Sequence, residues 1–207
     1  MNRDRVLTAL LAAVLCIFVW SGWAPADRLT WALEVFPVVI ALPFVLATRR
    51  RFPLTTLVYG LIAVHATILM VGGRYTYAEV PLFNWIRDIF HLARNHYDRL
   101  GHFAQGFVPA IVAREILLRK TPLRRGGWLF FLITCVCLAI SAVYELVEWG
   151  ASTATGSAAD AFLGTQGDPW DTQKDMLFAG IGAIVGQLTL SSPHDRQLAA
   201  LLGKSSQ

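Results

Sequence analysis

Apolar residues in this chain come in long unbroken runs separated by short polar and basic stretches, and that grouping restricts the fold more than any motif does. The hydrocarbon core of a bilayer asks for about 20 residues of helix. Six runs meet that length, approximately residues 6–23, 29–47, 54–72, 100–118, 128–148 and 172–190. The expected fold is all-α: a polytopic transmembrane helical bundle of about six spans, a single integral membrane domain over residues 1–207. Only 15% of the residues are charged, against about a quarter in a soluble domain. The net charge of +4 sits mostly in short clusters between the runs, so no nucleic-acid partner is expected and the clusters are read as orientation signals.

Those clusters alternate. Arg3 and Arg5 precede the first run, Arg49, Arg50 and Arg51 separate the second from the third, and Arg119, Lys120, Arg124 and Arg125 separate the fourth from the fifth. These connections belong on the cytoplasmic side, which puts both termini there, whereas the connection 150–171 has no lysine or arginine and belongs outside. The segment 73–99 dissents with four arginines, but it also carries Glu79, Asp88 and Asp98. Trp20, Trp23, Trp31, Trp149 and Trp170 then fall at one interface as an aromatic belt. The first run, followed by Ala24-Pro25-Ala26, also has the form of a cleaved signal peptide, with a retained helix the preferred reading. The third run is bounded by Gly72-Gly73, and the sixth is expected to stop at Ser191-Ser192-Pro193. Cys16, Cys135 and Cys137 lie within apolar runs and read as buried, inert thiols.

Within the third connection, Pro81 and then Leu82, Phe83, Trp85, Ile86, Ile89, Phe90 and Leu92 predict a short interfacial amphipathic helix. Arg87, Asp88, His91 and Arg94 fall on its wet side, and a helix that merely caps the bundle is the plainer alternative.

Ionisable residues at membrane depth are functional candidates because they are costly to keep there. Asp98, His102 and Gln105 share one face of the fourth span, Ser141, Tyr144, Glu145 and Glu148 one face of the fifth, and Asp168, Asp171 and Asp175 recur at helical spacing on the sixth. With the topology above, all three stripes lie at outer helix ends and at one depth. Ala179, Gly182 and Gly186 continue the face of Asp175, so that face is expected to be the packed one. Gathered carboxylates raise one another's pKa unless a cation joins them. A divalent metal, Mg²⁺, Mn²⁺ or Ca²⁺ before Zn²⁺ or Fe²⁺, fits a ligand set of Asp98, His102, Glu145, Asp171 and Asp175. Glu148, Tyr144 and Asp168 are the candidate catalytic groups. The alternative is a metal-free polar network, for which Arg94, Arg99 and Lys174 are the available partners. His65 and Glu34 read as interhelical hydrogen-bonding residues, His91, His96 and His194 as interfacial or exposed, and Arg114 and Glu115 as snorkelling or paired locally.

The stretches Tyr97-Asp98-Arg99-Leu100-Gly101-His102-Phe103-Ala104-Gln105-Gly106-Phe107, Tyr144-Glu145-Leu146-Val147-Glu148-Trp149 and Gly167-Asp168-Pro169-Trp170-Asp171-Thr172-Gln173-Lys174-Asp175-Met176 resemble the YjdF family of bacterial inner-membrane proteins. More loosely they resemble VanZ-like membrane proteins, which are linked to glycopeptide resistance and the cell envelope, although the last stretch lacks an asparagine those proteins often carry. The resemblance implies a bacterial inner-membrane location and supports the fold and the site, and it carries no established reaction. Three functions stay open. The first is a metal-dependent enzyme on a lipid or isoprenoid-linked envelope substrate, embedded in the lipid bilayer. The second is a non-catalytic scaffold or regulator of the envelope, and the third, ranked lower, is a proton-coupled transporter, because the inner half of the bundle is expected to hold few polar residues.

Overall fold

The computed structural model describes residues 3–155, 162 and 165–203. Its helices are α1 (Arg3–Trp23), α2 (Arg28–Thr48), α3 (Thr56–Tyr75), α4 (Pro81–Phe90), α5 (Tyr97–Lys120), α6 (Gly127–Thr155) and α7 (Asp171–Gly203). Asp27 starts α2 by accepting the Thr30 N–H at 2.7 Å, and Thr55 starts α3 through its hydroxyl. Thr76 and Tyr77, both with positive φ, end α3, which runs on through Gly72-Gly73 rather than stopping before them.

Among the described residues, five helices are long and apolar enough to cross a membrane, namely α1, α2, α3, α6 and α7. With no water in the hydrocarbon core, each must satisfy its backbone internally, and an outer surface of apolar side chains such as Phe44, Val143, Leu146 and Leu188 suits lipid contact. The molecule is a helical membrane bundle. Helices α1 and α2 both lie against α3, around Val14, Val35, Val38, Ala66 and Met70. Helix α3 leans on α5, and α5, α6 and α7 surround Ala110, Leu129, Ile133, Cys137 and Ala183.

The most extensive interface joins α5 to α7. Its closeness follows from glycine. A Cβ on Gly106 would come within 1.8 Å of the Ala179 carbonyl oxygen, and one on Gly182 within 2.1 Å of that of Phe103. The face that carries Asp175, Ala179, Gly182 and Gly186 is thus the packed face, as its small residues suggest.

Several local expectations change. Helix α7 passes through Pro193 to Gly203, thirteen residues past the expected end at 190. Proline removes one helical hydrogen bond, and tertiary contacts of the extension override that loss. His194 is fully buried instead of exposed, with Nδ1 2.7 Å from Arg114 and Nε2 3.1 Å from Glu115. Arg114 also holds Asp195 at 2.6 Å, and Gln197 accepts the Leu57 N–H at 2.9 Å. Glu115 in turn accepts from the Thr55 N–H and hydroxyl and from Arg119. Glu115 thus pairs locally with Arg119, as read, and both Arg114 and Glu115 also pair across helices, so this end of the bundle is more polar than expected. Cys16 and Cys135 are exposed on the apolar surface and only Cys137 is buried. Arg94 is buried rather than on the wet side of α4, because the chain turns at His91 (φ 50°) and leaves the helix.

Candidate functional site

At the bundle end where α1 joins α2, the first turns of α5 and α7 meet the last turns of α6. Asn95 sets up the arrival of α5. Its side-chain oxygen accepts the Tyr97 N–H at 2.9 Å, its amide donates to Asn84 at 2.8 Å, and its backbone exchanges hydrogen bonds with Gln166 at 3.0 and 2.9 Å. The turn before α7 is thereby pinned to the start of α5. Asp168 lies in that turn rather than on the helix, while Asp171 and Asp175 occupy the first two turns of α7.

Two buried arginines knit these acids together. Arg94 pairs with Asp171 at 2.5 Å, Asp98 at 3.4 Å and Asp168 at 3.6 Å. Arg99 pairs with Asp171 and Asp175 and reaches Asp168 at 3.3 Å and Asp98 at 3.7 Å. Lys174 closes the rim on Asp168 at 2.6 Å. The Lys174 ammonium and the Trp170 N–H hold the Asp168 carboxyl below the usual carboxylate range, and burial together with Arg94 and Arg99 pushes His96 down. His96 is half-buried and His91 exposed, near what their positions suggest.

Behind the arginines lies a second layer. His102 Nε2 stands 3.5 Å from Asp98 Oδ1 and 3.7 Å from Asp175 Oδ1, and its Nδ1 is 3.0 Å from Gln105 Oε1 and 3.8 Å from Glu145 Oε1. His102 presents Nε2 to the two aspartates; the tautomer with its proton on Nδ1, toward Gln105, would leave Nε2 free to ligate a metal. Asp98, His102 and Asp175, all buried, each offer one ligand atom within 4.8 Å of the others. Glu145 Oε1 and Ser141 Oγ beside them are buried with no hydrogen-bond partner among the described residues. An orphaned carboxylate oxygen is expensive in the interior; it lies on the Nδ1 side of the imidazole, whereas Asp98 and Asp175 face Nε2.

Glu148, also buried, lies one turn beyond Glu145 on α6. Tyr144 sets its ring edge-on to His102 at 6.2 Å and donates its hydroxyl to Glu34 at 3.0 Å. The structure thus brings together Asp98, His102, Tyr144, Glu145, Glu148 and Asp175, while Asp168 and Asp171 face the arginines instead of the imidazole. Glu34 is an interhelical hydrogen-bonding residue as read, and it adds a buried acid from α2 to the same pocket. Arg94 and Arg99 gained no role from the sequence beyond possible pairing, although their spacing of five residues around Asp98 flags both as neighbours of the stripe.

His65 differs from its reading. Its Nε2 is buried without a hydrogen-bond partner among the described residues, beside an apolar groove. An unpaired buried polar atom costs about 1–3 kcal/mol, so His65→Leu is expected to raise the melting temperature in detergent by a few degrees. A lower melting temperature would reveal a partner for that ring.

The chain is similar over residues 6–196 to the family described as predicted membrane protein (DUF2238). It is 52% identical over 196 residues, 95% of this chain and 94% of the relative, to inner membrane protein YjdF of Escherichia coli (strain K12). No solved structure matches it. The likeness carried by the three sequence stretches is borne out, and the chain belongs to this DUF2238 family of membrane proteins.

Proposed function

We propose that this member of the DUF2238 family is an inner-membrane metalloprotein whose outer pocket binds a divalent cation and acts on a lipid or isoprenoid-linked envelope substrate. The observation that carries it is the buried trio Asp98, His102 and Asp175, whose candidate ligand atoms lie within 4.8 Å of one another. Asp98, His102 and Asp175 hold the cation, and Arg94 and Arg99 fix the acids of α7 in place through Asp168 and Asp171. When bound, the cation polarises a phosphoryl or carbonyl oxygen. Glu148 serves as general base, and the Tyr144 hydroxyl is placed to donate to developing charge.

In the membrane we assign six spans. Helix α5 counts as the sixth: its 24 residues reach about 36 Å, and its polar side chains are sheltered by α3, α6 and α7. The amphipathic α4 buries none of its own side chains, and with Leu82, Trp85, Ile89 and Phe90 exposed it suits an interfacial position. With the Arg49–Arg51 and Arg119–Arg125 clusters read as cytoplasmic, both termini are assigned to the cytoplasm and the pocket to the outer leaflet, a reading the positive-inside rule supports.

The second reading, a scaffold, is favoured by the arginine–aspartate layer, which stabilises helix packing with no cation at all. A transporter ranks below both. Polar groups gather at each end of the bundle, but buried Val108, Ala110, Ile111 and Ile133 separate them.

Elemental analysis of protein purified in detergent without chelator is expected to find one divalent metal per chain. Asp98→Ala and His102→Ala are expected to lower its affinity by about 100-fold or more, at least the effect of losing an outer-shell partner. A metal-free protein, with both variants retaining full function in cells, would discard the enzyme reading.

A further inference from the structure

A second feature of the bundle lies outside the polar pocket. Lined by α1, α2, α3 and α5, with Val136 and Ile140 of α6 at one lip, runs an apolar groove of about 520 Å³. Small-ligand sites range over about 300–1,000 Å³. Its upper end stops one helical turn short of the pocket. Val38 lies a turn beyond Glu34 on α2, Pro109 a turn beyond Gln105 on α5, and Ile140 a turn before Tyr144 on α6. Its lip residues Phe44, Val136 and Ile140 are exposed, so the groove opens sideways into the bilayer.

Its lower end is chemically different. Arg49 lines the groove there, and Arg50 and Arg51 follow it, all three exposed. Nearby, Arg119 covers the Phe52 ring at 3.6 Å and is occupied with Pro53 and Glu115, while Lys120, 5.1 Å from the same ring, adds to the exposed positive charge of the arginine triplet at this end. From Val38 to Arg49 the groove spans about 16 Å along α2.

We infer that this groove is a binding site for one acyl tail of an anionic phospholipid from the leaflet at the Arg49 end, with the phosphate held by Arg49 and its neighbours. Three observations select that occupant. The walls are predominantly apolar over the run below the pocket, aliphatic side chains with Phe44, Phe52 and Tyr59 among them and His65 a polar group on the α3 side, which suits a hydrocarbon chain. Its volume of about 520 Å³ is that of a small-ligand site, which suits one tail rather than a whole lipid. The mouth is basic and the upper end is acidic, so a phosphate headgroup is attracted to the lower end and repelled from the upper one. The second tail of the lipid stays in the bilayer through the lateral opening. This assignment does not depend on the metal reading of the outer pocket.

The test uses the full-length chain reconstituted in dioleoylphosphatidylcholine vesicles. These are doped with a phosphatidylglycerol or a phosphatidylcholine probe, each carrying a photoreactive diazirine in one acyl chain. Labelled residues are mapped by mass spectrometry. The phosphatidylglycerol probe is expected to label Val38, Ala41, Val136 and Ile140 about fivefold more than the phosphatidylcholine probe, near what one basic side chain contributes at an anionic surface. Arg49→Gln is expected to reduce that ratio, and Arg49→Gln/Arg50→Gln/Arg51→Gln to bring the two probes level. Ala41→Trp, at the exposed lip, is expected to abolish groove labelling by both probes while labelling of Val19 on the outer face of α1 persists. Equal labelling by the two headgroups in the unmodified protein, or labelling of Val19 as strong as that of the groove, overturns the inference. Should the tryptophan variant not fold, the headgroup ratio in the unmodified protein and in Arg49→Gln decides alone.

Discussion

Alanine at Gly106 is expected to leave almost no monodisperse protein after detergent extraction, although the same change in an open helix would stabilise it. Within a helix, glycine is about 0.5–1 kcal/mol worse than alanine. At Gly106 the added methyl would lie 1.8 Å from the Ala179 carbonyl oxygen and 2.6 Å from its carbon, and these are backbone atoms that no rotamer can move. The only relief is to separate α5 from α7, which breaks the most extensive interface of the bundle. That separation also draws Asp98 and His102 away from Asp175. Overpacking usually costs about 1–3 kcal/mol and occasionally more. Here the whole interface is at stake, so we expect at least about 4 kcal/mol, a size reserved for a few mechanisms such as this one. Gly60→Ala supplies the control, since a Cβ there meets nothing within 4 Å. It is expected to melt at the same temperature as the unmodified protein or slightly above. Gel filtration and melting of both variants check the pair, and a well-folded Gly106→Ala protein would show that α5 and α7 are not in backbone contact.

That contact also shows how much was legible beforehand. The small residues Ala179, Gly182 and Gly186 share a face with Asp175, and helical spacing alone identifies that face as the buried one. Their partner Gly106 is followed by Ala110 and Ala113 at similar spacing, so both sides of the contact carry a small-residue signal, but without the structure nothing pairs the two faces. The acidic stripes were readable for the same reason: Asp98 with His102, and Tyr144 with Glu145 and Glu148, are set by a 3.6-residue period that needs no tertiary information. What periodicity cannot see is a break in the helix. Arg94 continues the wet face of α4 on paper, but His91 adopts φ 50° and the chain swings Arg94 inward to Asp171. The C-terminal extension escaped in the opposite way. Pro193 is a local stop signal, and it is overruled by His194 and Asp195, whose partners Arg114 and Glu115 lie some eighty residues earlier in the chain.

Methionine at Arg99 is expected to destabilise the protein severely in the presence of a chelator and much less with millimolar Mg²⁺ or Mn²⁺. Arg99 is the cation shared by Asp168, Asp171 and Asp175, and its side chain is only 6% exposed. Removing one partner of a buried ion pair costs about 3–5 kcal/mol, because the other charge is left uncompensated. For a chain of this size that corresponds to a fall of roughly 10 °C or more in melting temperature. Arg94 still holds Asp171 at 2.5 Å, so the orphan is chiefly Asp175, which also faces His102 at 3.7 Å. A cation entering between Asp98, His102 and Asp175 would supply the missing charge at that carboxylate. Ligand binding stabilises by RT ln(1 + [L]/Kd), about 4 kcal/mol at a thousandfold excess over Kd, enough to restore most of the loss. The same titration on Arg99→Met/His102→Ala separates specific ligation from general screening: a site that needs the imidazole no longer responds, while nonspecific neutralisation of acids by cations persists. Should the single variant melt at one low temperature whatever divalent ion is added, the acids of α5 and α7 are neutralised by guanidinium and protons alone. The pocket is then a polar clasp between helices, and the scaffold reading replaces the enzyme.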